Sequence, residues 1–125
     1  MGDVASLVES ELTQSILRAF YSVHTCMGHG FLEPVYQRSM FVALTRLDLK
    51  CEREVLFPVF YDGVRVGDYR ADLLVERKVL VELKCAEQIS RPHLTQLLNY
   101  LKAANIPLGL LLNFGPRAQV RRLML

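Results

Sequence analysis

The spacing of apolar residues divides the chain into two helical segments followed by strands. In residues 9–27 apolar side chains recur every three or four positions, which places them on one face of a helix. The segment GHG follows, and a glycine in the left-handed conformation ends a helix. A second helix is predicted over residues 33–47, because Pro34 is tolerated in a first turn and Glu33 suits the positive end of a helix dipole.

Three strands are predicted next, over residues 51–62, 64–75 and 79–85. The dipeptide Asp62-Gly63 is a turn signal between the first two strands. Pro58 favours an edge position for the first strand, because proline cannot donate to a central ladder. Gly67 indicates a bulge or bend in the second strand.

A helix over residues 90–105 and two further strands complete the pattern, with Ser90 at the N-cap position and Pro92 in the first turn. The run PLGLLLNF is apolar throughout, as expected of a strand buried on both faces beside a parallel neighbour. Residues 118–125 form a last, more exposed strand. This order predicts an α/β (α+β) fold with a mixed central sheet, in which an antiparallel three-strand meander is followed by a crossover helix and a parallel strand, with helices flanking the sheet.

Composition narrows the class of protein but not its activity. The 125 residues predict a single domain over 1–125, and the 51% hydrophobic content supports a packed core. A net charge of +2 permits an anionic partner without requiring one. The three cysteines are widely spaced and are expected to be free thiols in a reducing compartment. The sequence shows no signal-peptide pattern and no apolar run of membrane-spanning length, so we expect a cytoplasmic protein with no membrane partner.

Three charged residues interrupt the apolar strands: Asp72 in the second strand and Glu82 and Lys84 in the third. A three-residue loop at 76–78 would place Asp72 directly opposite Glu82 on one face of the sheet, whereas a two-residue loop would place it opposite Val81. Strict alternation along the second strand also predicts a shared opposite face for four residues: Tyr69, Ala71, Leu73 and Val75.

Two opposed carboxylates repel each other unless a cation lies between them. Mg²⁺ accepts one or two carboxylates and leaves its other positions to water and substrate phosphate. A lysine beside such a pair can orient a water or stabilise charge on a phosphoryl group. The constellation therefore suits metal-assisted hydrolysis of a phosphodiester. The alternative is a solvated salt bridge between Glu82 and Lys84 on one face of the strand. Asp72 would then hydrogen-bond a turn or pair with Arg70.

The arrangement of Asp72 with Glu82-Leu83-Lys84 resembles the PD-(D/E)XK nuclease superfamily. The segment GFLEPVY at 30–36 is similar to the signature of the GxxExxY proteins, a bacterial family. The segments YRADLLVERKVLVELK, QLLNYLKA and LGLLLNFG follow in the order of that family, so the resemblance runs from about residue 12 to 125. Alanine replaces the proline of the motif, His29 stands where a proline is expected, and an acid expected shortly before Gln96 is missing.

The resemblance implies a restriction-endonuclease-like core and a nuclease that depends on Mg²⁺ (or Mn²⁺), with nucleic acid, DNA in particular, as partner. It implies that Asp72 and Glu82 hold the metal together with the backbone carbonyl of Leu83, and that Lys84 is the catalytic lysine. The minimal core suggests nonspecific or structure-selective action, and assembly as a homodimer stays open.

The resemblance also implies roles for residues on the two neighbouring helices. Glu33 would orient water or the metal, and Gln96 would face the site. Tyr100, one turn after Gln96, and Tyr36, three residues after Glu33, would contact substrate. Each has a structural alternative: Glu33 as a helix-dipole partner, Gln96 and Tyr100 as surface residues, and Tyr36 as a packing residue. A catalytically inactive member of the fold that binds nucleic acid or protein is the competing function.

Overall fold

The computed structural model describes residues 9–125 and confirms the predicted elements, with no end shifted by more than one residue. The helices are α1 (Ser10–Met27), α2 (Glu33–Arg46) and α3 (Arg91–Ala104). The strands are β1 (Cys51–Tyr61), β2 (Val64–Val75), β3 (Val79–Lys84), β4 (Leu108–Phe114) and β5 (Ala118–Met124). No helix within residues 9–125 has the length and the apolar content needed to cross a membrane.

The five strands form one mixed sheet in the order β1-β2-β3-β4-β5. Strands β1, β2 and β3 are an antiparallel meander, α3 crosses over to β4, which is parallel to β3, and β5 returns antiparallel to β4. This is the predicted topology. The edge position of β1 confirms the reading of Pro58. A register shift pairs Val59 with Gly67 and Phe60 with Arg65, so the predicted bulge adjoins Gly67.

Two hydrophobic clusters cover the two faces of the sheet, so the domain has three layers. On one face, α1 and α2 bury Phe20, Met40 and Leu44 against the strands. On the other face, α3 buries Leu97 and Leu101. Every residue of β4 is buried, as the sequence predicted for a central parallel strand. The burial of apolar surface between these layers is the main force that holds the sheet and its flanking helices together.

The alternation of faces holds in β3 but fails in β2, which corrects one prediction. Tyr69 and Ala71 pack on the α3 side together with Leu74, whereas Leu73 packs on the α1/α2 side. The change of face falls at Asp72. Across the ladder, Glu54 adopts a left-handed φ of 53° and does not pair with Asp72, although the residues on either side of both are paired. The local rotation of the backbone therefore displaces Asp72 from a regular strand geometry.

Candidate active site

A three-residue loop joins β2 to β3 and sets the register of the site. Glu76 and Arg77 both adopt a left-handed φ of 54°, which lets this loop close without a glycine. Val75 pairs with Val79 and Leu73 with Val81, which is the register that the three-residue loop predicted. Continued by one residue, this register brings Asp72 opposite Glu82.

Side-chain hydrogen bonds replace the backbone ladder at this point. The amide of Asp72 donates to Oε1 of Glu82 at 3.2 Å, and the amide of Leu83 donates to Oδ2 of Asp72 at 2.8 Å. Each carboxylate thus accepts from the neighbouring strand where β2 and β3 separate. This arrangement explains why two acids interrupt apolar strands, because they satisfy amides that the ladder leaves unpaired.

Burial and mutual proximity raise the pKa values of both acids. Glu82 is only 6% exposed, and burial, followed by the charge of Asp72, raises its pKa to about 8. Burial also raises the pKa of Asp72. The two crossed hydrogen bonds hold the carboxyl groups side by side, close enough for the charge of Asp72 to act on Glu82. Such a contact between two carboxyl groups requires a proton or a cation between them.

Glu33 reaches the same region from the first turn of α2. Burial, and then the charge of Asp72, raise the pKa of its carboxyl group to about 6. Both side chains line a cavity of about 140 Å³ together with Pro34, Gln37 and Glu54. The amide of Gln37 donates to the backbone carbonyl of Asp72 at 3.4 Å, which helps to anchor the irregular segment of β2. The helix therefore contributes a third acid to the site.

Lys84 and Gln96 meet at the side of the site that faces α3. The Lys84 ammonium group donates to Oε1 of Gln96 at 3.1 Å. Burial raises the pKa values of both Glu33 and Asp72, and the positive charge of Lys84 offsets part of each rise, so Lys84 is close enough to act on the acidic cluster. Five of the predicted site side chains thus lie together: Glu33, Asp72, Glu82, Lys84 and Gln96.

A family model of the PD-(D/E)XK nuclease superfamily matches residues 10–123, nearly the whole chain. The protein belongs to the PD-(D/E)XK nuclease superfamily. This membership supports a nuclease function and a dependence on divalent metal ions. None of the curated proteins matches the sequence. The narrower assignment to the GxxExxY proteins stays a prediction.

Two solved structures are similar to this chain, and one of them supports the fold. The crystal structure of SSO0001 superposes with a TM-score of 0.55 at 20% identity, covering 93% of this chain and 58% of SSO0001. The chain thus spans somewhat more than half the length of that protein. Hjc, a Holliday junction resolvase from Archaeoglobus fulgidus, gives a TM-score of 0.44 at 18% identity over 73% of this chain and 75% of Hjc. The family match and the superposition on SSO0001 confirm the predicted restriction-endonuclease-like fold.

The oxygen atoms at the candidate active site are suitable ligands for a hard divalent ion. Asp72 and Glu82 each commit one oxygen to the hydrogen bonds described above, which leaves the second oxygen of each. The Leu83 amide points toward Asp72, and in a strand the N–H and C=O of one residue lie on the same side, so its carbonyl also faces the site. Within residues 9–125 no three His, Cys, Asp or Glu side chains form a ready-made metal cluster. Two carboxylates and a carbonyl, completed by water, are the kind of donor set that Mg²⁺ or Mn²⁺ accepts.

Tyr36 lies outside the candidate active site, so the expectation that this residue contacts substrate is wrong. Its side chain is fully buried, and its hydroxyl donates to the carbonyl of Gly28 at 2.6 Å and accepts from the amide of Phe31 at 3.3 Å. Its ring stacks on Phe114 with centroids 4.3 Å apart. Tyr36 therefore packs the loop that leads into α2 and has no surface to offer a substrate.

Tyr100 lies on the α3 side of the site and is half-buried. Its ring stacks on that of Tyr69 with an angle of 16° between the planes. Tyr69 is a site residue that the sequence analysis missed: its hydroxyl donates to Oε1 of Glu82. Strict alternation had placed Tyr69 on the face opposite Glu82. Finding Tyr69 would have required knowing that β2 changes face at Asp72. The sequence gives no signal of that change, because no glycine or proline lies beside Asp72.

Proposed function

We propose that the protein is a Mg²⁺-dependent nuclease that hydrolyses phosphodiester bonds, with DNA as the favoured substrate. The observation that carries the proposal is the crossed pair of hydrogen bonds that presents Asp72 and Glu82 side by side at the end of the β2-β3 ladder. The preference for DNA rests on resemblance to the family, which is an analogy of fold and motif rather than a reading of the site.

In this proposal Asp72, Glu82 and the carbonyl of Leu83 hold the metal. Bound there, the ion would supply Lewis-acid polarisation of a phosphoryl oxygen. Glu82 is buried and Asp72 is half-buried beside it, so without a cation the pair is stabilised by protonation of Glu82. Their shared contact is the reason that a divalent ion is attracted to this point rather than to the exposed acids elsewhere on the surface.

Lys84 supplies the positive charge on the side of the site that faces α3. Its hydrogen bond to Gln96 fixes the ammonium group, which is then positioned to hold the attacking water or to stabilise negative charge on the phosphoryl oxygens. Glu33 lies on the other side of Asp72 and has a pKa of about 6, so near neutral pH it can accept a proton from water. The chain's own residues therefore provide both a base and a charge stabiliser.

The test is a plasmid-nicking assay with Mg²⁺ or Mn²⁺ that compares the wild type with Asp72→Asn and Lys84→Ala. We expect each substitution to lower the rate by at least about 100-fold, since each removes a group that stabilises transition-state charge directly or through the metal. Asp62→Asn, in the β1-β2 turn, and Lys102→Ala, on the exposed end of α3, are matched controls expected to cut at the wild-type rate.

Two results would overturn the proposal. One is an absence of cutting by the wild type in every divalent metal and on plasmid, linear and branched DNA. The other is cutting that survives both substitutions, which would point to a contaminating nuclease. In the first case, binding of DNA by the wild type, without heat when Mg²⁺ is titrated in a calorimeter, would identify a binding module of this fold.

A further inference from the structure

A buried tyrosine contacts the candidate metal ligand Glu82. Tyr69 lies on β2, is 5% exposed, and donates its hydroxyl hydrogen to Oε1 of Glu82. The backbone amide of Asp72 donates to the same oxygen. Two donors on one oxygen fix the rotation of the carboxylate and turn its other oxygen, Oε2, away from both of them.

Neighbouring aromatic rings hold Tyr69 in this position. Tyr100 from α3 stacks on the Tyr69 ring, and Phe57 from β1 lies nearly parallel to it with centroids 6.3 Å apart and an angle of 20°. The hydroxyl has its partner in a buried setting, where an unpaired hydroxyl would be costly. The ring stack thus fixes the hydroxyl, and the hydroxyl fixes Glu82.

We propose that Tyr69 is a positioning residue of the metal site: its hydroxyl holds Oε1 of Glu82 so that Oε2 is presented to the divalent ion, and Tyr100 supports it by stacking. This inference rests on the proposed function, because it assigns Tyr69 a task only if Glu82 holds a metal. It gives Tyr100 a structural part in the site in addition to the predicted contact with substrate. Groups that orient the ligands of a metal commonly contribute 10- to 100-fold to its affinity.

The experiment measures Mn²⁺ and Mg²⁺ binding to the full chain by isothermal titration calorimetry without nucleic acid. Tyr69→Phe removes only the hydroxyl and keeps the ring stack, so we expect Kd for the metal to rise by about 10- to 100-fold. Tyr100→Leu keeps the Tyr69 hydroxyl but removes its stacking partner, and we expect a smaller rise of about 2- to 10-fold. Tyr61→Phe, at an exposed position on β1, is the matched loss of a hydroxyl and should leave Kd unchanged.

A second readout separates positioning from loss of structure. In the nicking assay the metal concentration for half-maximal rate should rise for Tyr69→Phe in step with Kd, whereas the rate at saturating metal should return to within about threefold of the wild type. A general weakening of the fold would lower the rate at every metal concentration. If thermal unfolding shows that Tyr69→Phe does not fold, Tyr100→Leu carries the same comparison.

The outcomes distinguish this inference from the proposal on which it rests. If the wild type binds metal and Tyr69→Phe binds it equally well, Tyr69 is a packing residue and the inference is wrong, while the nuclease proposal stands. If the wild type binds no divalent metal, both fail, because Tyr69 would have no ligand to position. If only the maximal rate falls and Kd is unchanged, the hydroxyl acts elsewhere and the inference is again wrong.

Discussion

In β3 the side chains alternate regularly, whereas in β2 the alternation breaks at the residue that matters most for the site. Leu80 packs toward α3 with Glu82 and Lys84 beyond it on the same strand face, as a regular strand requires. Asp72, on β2, lies at a change of face opposite a left-handed residue of β1. Regular alternation along β3 places Glu82 at the site, whereas a local irregularity in β2 places Asp72 there.

The difference shows how the sheet can hold two acids that repel each other. A regular ladder on both sides would leave no room for a cation between β2 and β3. The irregular segment separates the strands, and the two carboxylates then accept the amides that the ladder no longer pairs. Local departures from regular structure are expected at functional sites, where stability is exchanged for geometry.

The largest expected effect is a pH dependence of metal affinity, caused by the proton on Glu82 in the regular strand β3. Its pKa of about 8 means that near pH 6 the metal must displace a proton from this site. We therefore expect the affinity for Mg²⁺ to rise about tenfold per pH unit from about pH 6 to 8 and to level off above that. Calorimetric titrations at several pH values measure this slope. A pH-independent Kd over this range would show that Glu82 is not protonated or not a ligand.

The raised pKa of Glu82 also predicts that the free energy of unfolding of the metal-free protein falls with pH, while the affinity for metal rises. Burial raises the pKa of Glu82 above its ordinary value of 4.5, so between that pH and about 8 the folded state holds a proton that the unfolded chain has released. The free energy of unfolding should therefore fall as pH rises through this window, and Mg²⁺ should restore it. Glu82→Gln keeps an oxygen acceptor and cannot ionise, so this part of the slope should disappear in that variant.

A second, smaller effect tests the irregular strand. Asp72→Ala removes the acceptor of the buried Leu83 amide, so we expect it to lower the metal-free free energy of unfolding by about 1–3 kcal/mol. Asp72→Asn keeps an acceptor oxygen and should cost less. Urea unfolding at pH 6 without metal measures both. If Asp72→Ala leaves the free energy of unfolding unchanged, the crossed hydrogen bonds do not hold the end of the ladder. The side chain of Asp72 then does not explain the difference between β2 and β3.

The sequence alone was enough to predict the helices, the strands and their order in the sheet, and the motif around Glu82 and Lys84 pointed to the site. It left two loop lengths open between β2 and β3, and the structure decides for the three-residue loop. The failures share one cause, which is that packing in three dimensions leaves no local signal. Tyr69 reaches Glu82 only because β2 changes face at Asp72, which lies opposite the left-handed Glu54 on another strand. Tyr36 is close to Glu33 in sequence, yet packing on Phe114 buries it.

The smallest expected effect concerns the left-handed residue of β1 itself. Glu54 is exposed, and its ion pair with Arg70, at 3.7 Å, is worth little in solvent. A left-handed φ costs a residue with a side chain about 1 kcal/mol more than glycine. We therefore expect Glu54→Gly to raise the free energy of unfolding by about 0.5–1 kcal/mol, measured by urea unfolding at neutral pH.

Leu56→Gly, two residues along the same strand, is the matched control, because Leu56 is also exposed but is not among the left-handed residues. Glycine there should lower stability, since it gains backbone freedom only in the unfolded chain. If both glycine variants are destabilised equally, Glu54 is not strained in solution. The break in β2 would then follow from the side-chain hydrogen bonds of Asp72 alone, and replacing Asp72 with Ala should restore the regular pairing of β1 with β2.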